Sequence, residues 1–167
     1  MLPDYELVGV YSRTASKAEH IANKMRQHGK MCAACHTLKE LLELKPDYLV
    51  ESASPAAMKE LALPTLENGT SIITLSIGAL ADTSFYEKVK ETAKANDTRV
   101  YLVSGATGGF DVLRTTSLMG NATARFFNEK GPDALKGTSV YKEELQQERR
   151  IVFSGNATEA INVFQPK

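Results

Sequence analysis

Short apolar runs rich in β-branched residues recur along the first hundred residues, and each is followed by a segment of helical character. Glu6 to Tyr11, Met31 to Ala34, Asp47 to Ser52, Thr70 to Ile77 and Arg99 to Val103 read as strands. Between them, Ser16 to His28 carries Ala18, Ile21, Ala22 and Met25 at helical spacing and stops at Gly29. Thr37 with Glu40 three residues on reads as a capping box opening a short helix that Pro46 ends. Pro55 opens the next, which Asn68-Gly69 closes and Pro64 is expected to kink or interrupt; Asp82 caps another through Phe85, Val89 and Ala93. Strands that are continuous apolar runs, alternating with helices, predict a parallel sheet covered by helices on both faces.

After Ser104 the character changes. A glycine-rich turn (Gly105, Gly108, Gly109) leads to a helix from Phe110 to Thr116, and then Ala122 to Asn128 and Ile151 to Ser154 read as antiparallel strands of a second, smaller unit. The boundary is placed near Ser117, giving domains 1–117 and 118–167.

The bulk properties narrow the function classes. Lys plus Arg equals Asp plus Glu at 20 each, so there is no net positive field to draw nucleic acid or an anionic membrane surface. No apolar run approaches the roughly 20 residues needed to span a bilayer, and no signal peptide opens the chain, so a cytoplasmic protein is expected. Cys32 and Cys35 form a lone CxxC beside His36, read as structural thiols of a reducing compartment and not as a zinc site. Asn121 and Asn156 begin N-x-T triplets, which without a secretion signal are read as chance. Phe126 and Phe127, adjacent in a strand, would put one ring on each face.

In open parallel α/β sheets, ligands collect beyond the carboxyl ends of the strands. Four such ends carry small or hydroxyl residues: Ser12-Arg13-Thr14, Ser52-Ala53-Ser54, Ser76-Ile77-Gly78-Ala79 and Ser104-Gly105-Ala106. Such residues make tight strand-to-helix turns, and they also let a flat nicotinamide and its ribose come close to the backbone. At the first end, Arg13 among Ser12, Thr14, Ser16 and Lys17 offers donors and no carboxylate, which suits the 2′-phosphate of NADP at least as well as NAD; stacking of Arg13 on adenine is the other reading.

The blocks VESASPAAMKE (Val50 to Glu60), LSIGALAD (Leu75 to Asp82), VYLVSGATGGFDVLR (Val100 to Arg114) and VFSGNATEAINVF (Val152 to Phe164) resemble, in order, those of the aspartate dehydrogenase family. The resemblance implies a Rossmann-like doubly wound parallel sheet followed by part of an α+β substrate domain. It also implies NADP- or NAD-dependent oxidative deamination of L-aspartate to iminoaspartate and thence oxaloacetate, often serving NAD biosynthesis. By the same resemblance Ala53 and Ser54 border the nicotinamide ribose, Ser76, Gly78 and Ala79 the ring pocket, and Ser104, Gly105 and Ala106 the junction with the substrate. The expected partners are a small amino acid such as aspartate and further copies of the chain, a homo-oligomer.

Relative to that family the chain is expected to be truncated at both ends. It begins at what resembles the second strand, with no GxGxxG turn, and the family's catalytic histidine falls beyond Lys167. His20, His28 and His36 are read as surface or structural residues, and Ser12 stands where relatives are usually acidic. Other frames remain open: a different amino-acid or hydroxy-acid dehydrogenase, or a non-catalytic binding and assembly module.

Overall fold

The computed structural model describes residues 4–105 and 108–164. The chain divides into two compact units, Met1–Gly105 and Ala106–Lys167. The division falls ahead of the helix that the sequence reading assigns to the first domain.

The first unit alternates strand and helix: β1 (Gly9–Tyr11), α1 (Ala15–Gln27), β2 (Ala33–Cys35), α2 (Leu38–Glu43), β3 (Tyr48–Glu51), α3 (Pro55–Glu67), β4 (Ser71–Thr74), a 3-10 turn (Ile77–Ala81), α4 (Thr83–Ala95) and β5 (Val100–Leu102). All pairings are parallel. β1 pairs with β2, and β3-β4-β5 form a separate three-stranded sheet in which Leu49, Ile72 and Val100 are in register. Among the described residues no strand lies hydrogen-bonded between β1 and β3, so each presents one unpaired edge. In the doubly wound order 3-2-1-4-5-6, that is the place of the central strand.

The helix boundaries follow local chemistry. The Thr37 hydroxyl accepts the Glu40 N–H at 3.1 Å, opening α2, while the Glu40 carboxylate reaches back to the His36 N–H at 2.8 Å. Ser54 caps α3 by accepting the Ala57 N–H at 3.1 Å, and Pro55 stands in the first turn, where a missing N–H costs nothing. Of the two outcomes expected at Pro64, interruption does not occur: α3 runs on through it to Glu67. The fully buried Thr65 satisfies its own hydroxyl within the helix by donating it to the Leu61 carbonyl at 2.7 Å.

The main core lies on one face of the three-stranded sheet. Met58, Ala62 and Leu66 of α3, Val89 and Ala93 of α4, Ile72 of β4 and Ala79 of the 3-10 turn are all buried together. Along β3, Leu49 and Glu51 are buried while Tyr48 and Val50 are exposed, Val50 at 64%. Among the described residues, the expected cover of helices on both faces is therefore met on one face of this sheet. The alternation is that of a sheet with one solvated side. On the two-stranded sheet, α1 buries Ala18 and Ala22, and α2 closes on β1 at Gly9, where a Cβ would stand 2.6 Å from Leu44 Cδ1 and 2.8 Å from Leu41 Cδ1.

The second unit corrects the sequence reading most. Its elements are α5 (Phe110–Leu118), 3-10 turns at Pro132–Leu135 and Glu143–Gln146, and α6 (Ala157–Phe164). The expected antiparallel strands at Ala122 to Asn128 and Ile151 to Ser154 do not form among the described residues. Strand propensity expresses the fit of a side chain to a pleated, half-buried surface, and here Phe126, Phe127 and Ile151 are 69%, 87% and 89% exposed. Without neighbouring strands there is no ladder to join. Asn156 is a helix cap: its Oδ1 accepts the Glu159 N–H at 3.0 Å while Glu159 Oε2 accepts the Asn156 N–H at 2.8 Å. Phe164 of α6 meets Phe153 edge-on at 5.6 Å.

Candidate functional site

Because β3, β4 and β5 are parallel and in register, with Glu51, Thr74 and Leu102 side by side, their following loops emerge together along one edge. The Leu75 N–H bonds the Glu51 carbonyl at 3.0 Å and the Val103 N–H the Thr74 carbonyl at 3.2 Å, carrying the pairing to the loop starts. Ser52-Ala53-Ser54, Ser76-Ile77-Gly78 and Ser104-Gly105 are thus brought onto neighbouring strand ends. Ala53, Gly78, Ser104 and Gly105 are exposed there, and Ser54 and Ser76 half-buried. A Cβ on Gly78 would find only Pro55 Cγ, at 3.8 Å, so the backbone at this loop stands open. Ala79 is 1% exposed and packs in the core beneath the loop, and Ala106 lies outside the described residues.

Ser12, Arg13 and Thr14 sit at the end of β1, on the other sheet. Ser12 Oγ accepts the Thr14 N–H at 3.2 Å, which shapes the turn into α1. Arg13 is exposed and has no ion pair among the described residues, so its guanidinium is free to meet an anion.

The residue that the sequence reading passed over is Glu51, the last of β3 and only 2% exposed. Its Oε1 accepts the Ala53 N–H at 2.7 Å, the Ser54 N–H at 3.1 Å and the Ser76 hydroxyl at 3.0 Å; its Oε2 accepts the Thr74 hydroxyl at 2.6 Å. Thr74 Oγ1 in turn accepts the Ser76 N–H at 2.9 Å. Burial alone would raise the carboxyl pKa. The donors, with the Thr74 hydroxyl and Ala53 N–H foremost, outweigh it and hold the group below the usual glutamate range. The signal in the sequence was an acid ending an apolar strand, followed at once by Ser-Ala-Ser.

The remaining candidates carry less. Burial pushes both the Cys32 and Cys35 thiols up, Cys35 further through Glu40 and Cys32, which is opposite to what a reactive thiolate needs. His28 Nδ1 is engaged with the Lys24 carbonyl at 2.8 Å. Among the described residues no group of three or more His, Cys, Asp or Glu stands ready to hold a metal.

A parallel α/β unit whose adjoining strand ends present small, open residues belongs to the nucleotide-binding class of doubly wound folds. The family model described as the NAD binding domain of homoserine dehydrogenase matches residues 3–103, and the chain belongs to this family. The resemblance to aspartate dehydrogenases is carried by the similar proteins themselves. The L-aspartate dehydrogenase of Methanocaldococcus jannaschii is 32% identical over 164 residues, 95% of this chain and 59% of that protein. That of Acinetobacter baumannii is 36% identical over 124 residues, 71% of this chain and 46% of that protein. The crystal structure of aspartate dehydrogenase from Thermotoga maritima is 26% identical, with a TM-score of 0.46 over 66% of this chain and 51% of that one. With so low a score, the fold assignment rests on the strand order and the family match. The chain spans about half to three-fifths of the length of the curated relatives it matches.

The chemistry of the residues present is compatible with NAD or NADP. The loops after β3, β4 and β5 leave the backbone open at Gly78, and the exposed Arg13 after β1 offers a cation to an anionic group. No GxGxxG turn is present to cradle the pyrophosphate.

Proposed function

We propose that this chain supplies the dinucleotide-binding part of an NADP- or NAD-dependent oxidoreductase acting on L-aspartate or a similar amino acid. The observation that supports it most is the set of three adjoining strand ends, the first two tied together by Glu51, lined by Ala53, Ser54, Ser76, Gly78, Ser104 and Gly105. In this reading the nicotinamide ribose lies against Ala53 and Ser54 and the ring against Ser76 and Gly78, with Ala79 shaping the floor from beneath. By the family resemblance Ser104, Gly105 and Ala106 belong to the junction with the substrate. The bound nicotinamide supplies the hydride acceptor for oxidative deamination of the amino acid; the chain's own residues bind and orient it. None of its three histidines lies in the loops that follow β3, β4 and β5: His20 is in α1, His28 caps the end of α1, and His36 lies between β2 and α2. Acid-base catalysis is therefore not assigned to any residue of this chain.

Ser12, Arg13 and Thr14 would receive the adenosine ribose, with Arg13 on the 2′-phosphate. Calorimetry with NAD and NADP on the purified chain tests both parts. Binding of either supports the dinucleotide site, and absence of both removes it. With Arg13→Ala, NADP affinity is expected to fall about ten- to a hundredfold and NAD affinity to hold, since one charge-assisted phosphate contact is worth about 1.5–3 kcal/mol. Equal loss for both cofactors would place Arg13 on the adenine instead.

No helix of the described residues is long and apolar enough to cross a membrane. A cytoplasmic location, a part in NAD biosynthesis and association into a homo-oligomer complete the proposal, the last favoured by the exposed apolar face of β3-β4-β5.

A further inference from the structure

We propose that Glu51 is the positioning residue of the nicotinamide side of the site, fixing the loop after β3 and the loop after β4 as one rigid floor. The inference rests on the dinucleotide reading above and adds a residue and a mode of action to it.

The geometry separates this role from ordinary core packing. Four donors converge on one carboxylate from the loop after β3 and from the end of β4 with its loop: the Ala53 and Ser54 N–H groups and the Ser76 hydroxyl on Oε1, the Thr74 hydroxyl on Oε2. Through Thr74 the same carboxylate also fixes the Ser76 N–H, 2.9 Å from Thr74 Oγ1. All of these groups belong to the strand ends that open to solvent at Ala53 and Gly78; Glu51 and Thr74 share the sheet face of the apolar core but end their strands, two residues beyond Leu49 and Ile72. A carboxylate accepts and cannot donate, so every contact in the cluster has one polarity. Glu51 directs no free lone-pair side outward, because it is 2% exposed; it shapes the backbone that a ligand meets and does not touch the ligand.

Glu51→Gln tests this with nearly unchanged volume. The amide oxygen can still accept from Ala53 and Ser54, but the amide nitrogen now faces the Thr74 hydroxyl, whose proton loses its acceptor. The β4 loop should loosen while the β3 loop holds. Three readouts follow on the whole 167-residue chain: circular dichroism for folding, amide exchange by NMR at Ala53, Ser54 and Ser76, and calorimetric affinity for NAD and NADP against ADP-ribose, which lacks the nicotinamide. A residue that only stabilised the fold would weaken both kinds of ligand alike.

The expected result is faster exchange at Ser76 with Ala53 and Ser54 still protected, NAD and NADP binding weakened about tenfold, and ADP-ribose binding unchanged. Thr74→Val should follow Glu51→Gln, and it decides the matter if Glu51→Gln does not fold. Equal weakening of ADP-ribose and NAD, or no change in either, would overturn the proposal. If the unaltered chain binds none of the three ligands, the dinucleotide reading fails by itself. In that case the amides decide the positioning role: faster exchange confined to Ser76 upholds it as a property of the loops, and unchanged exchange overturns it.

Discussion

A carboxylate with four donors and almost no water couples its charge state to folding, and the sign of that coupling can be worked out for Glu51. Its pKa is lower in the fold than in the unfolded chain, where glutamate titrates near about 4.3. The stabilisation is thus fully present above that unfolded value and is lost as pH falls through the lower folded one. Urea unfolding between about pH 6 and pH 3 should show the chain losing stability toward acid, with Glu51→Gln flatter over the same interval. Parallel slopes would mean that the carboxylate is not held as the geometry says. Thr74→Val, fully buried and both donor and acceptor in the cluster, should lower stability by about 2 kcal/mol and shift the acid transition upward in pH. At this scale the sequence was partly legible. Ser54 and Ser76 stood out as hydroxyls at strand ends, but an acid at the close of DYLVES reads equally well as a solvated turn residue. Only the register of β3 against β4 shows that it points at Thr74.

Helix boundaries were legible where a cap is a local pattern, because the hydrogen bond that makes it spans three residues and needs nothing distant. Thr37 with Glu40 and Asp82 before Phe85 are such cases, and both caps form. Asn156 with Glu159 has the same spacing and was passed over, since the apolar VFS before it suggested a strand. The strands expected there needed partners that local sequence cannot supply, whereas α6 needed only its own cap and the Phe153–Phe164 contact. The two caps differ in support. Thr37→Ala should cost about 1 kcal/mol in global stability, because α2 is held against β1 and β2 through Leu42 and its neighbours. Asn156→Ala should instead melt α6 locally, since none of its residues is buried. Amide exchange resolved by residue distinguishes the two: protection lost only from Ala157 to Phe164 in the second variant, and lowered across the first unit in the first. Uniform loss in both would show that α6 is part of the cooperative core.

For the molecule as a whole, alternation of strand and helix predicted the parallel α/β class from the sequence, and strand pairing delivers it in two separate sheets. What alternation could not show is which faces are covered, because a continuous apolar run such as YLV looks the same whether one side or both are buried. On β3 it is one side: Tyr48, Val50 and, across β4, Tyr101 remain 45%, 64% and 42% exposed, with the two tyrosine rings 6.1 Å apart. An apolar sheet face open to water favours burial against a like surface, at about 25 cal/mol per Å² of apolar area removed. The chain should therefore associate with rising concentration in sedimentation velocity. Val50→Glu, on the solvated face, opposite to the one that buries Leu49 and Glu51, should weaken that association about tenfold or more while leaving the circular dichroism spectrum and the thermal midpoint nearly unchanged, since an exposed residue away from caps and core alters folding little. Dinucleotide affinity measured on the same variant separates two meanings of the face. If it holds while association falls, the site is complete within one copy; if both fall together, neighbouring copies contribute to the site, and the oligomer is part of the binding machinery. A chain that stays monomeric at every concentration would remove the face as an interface between copies.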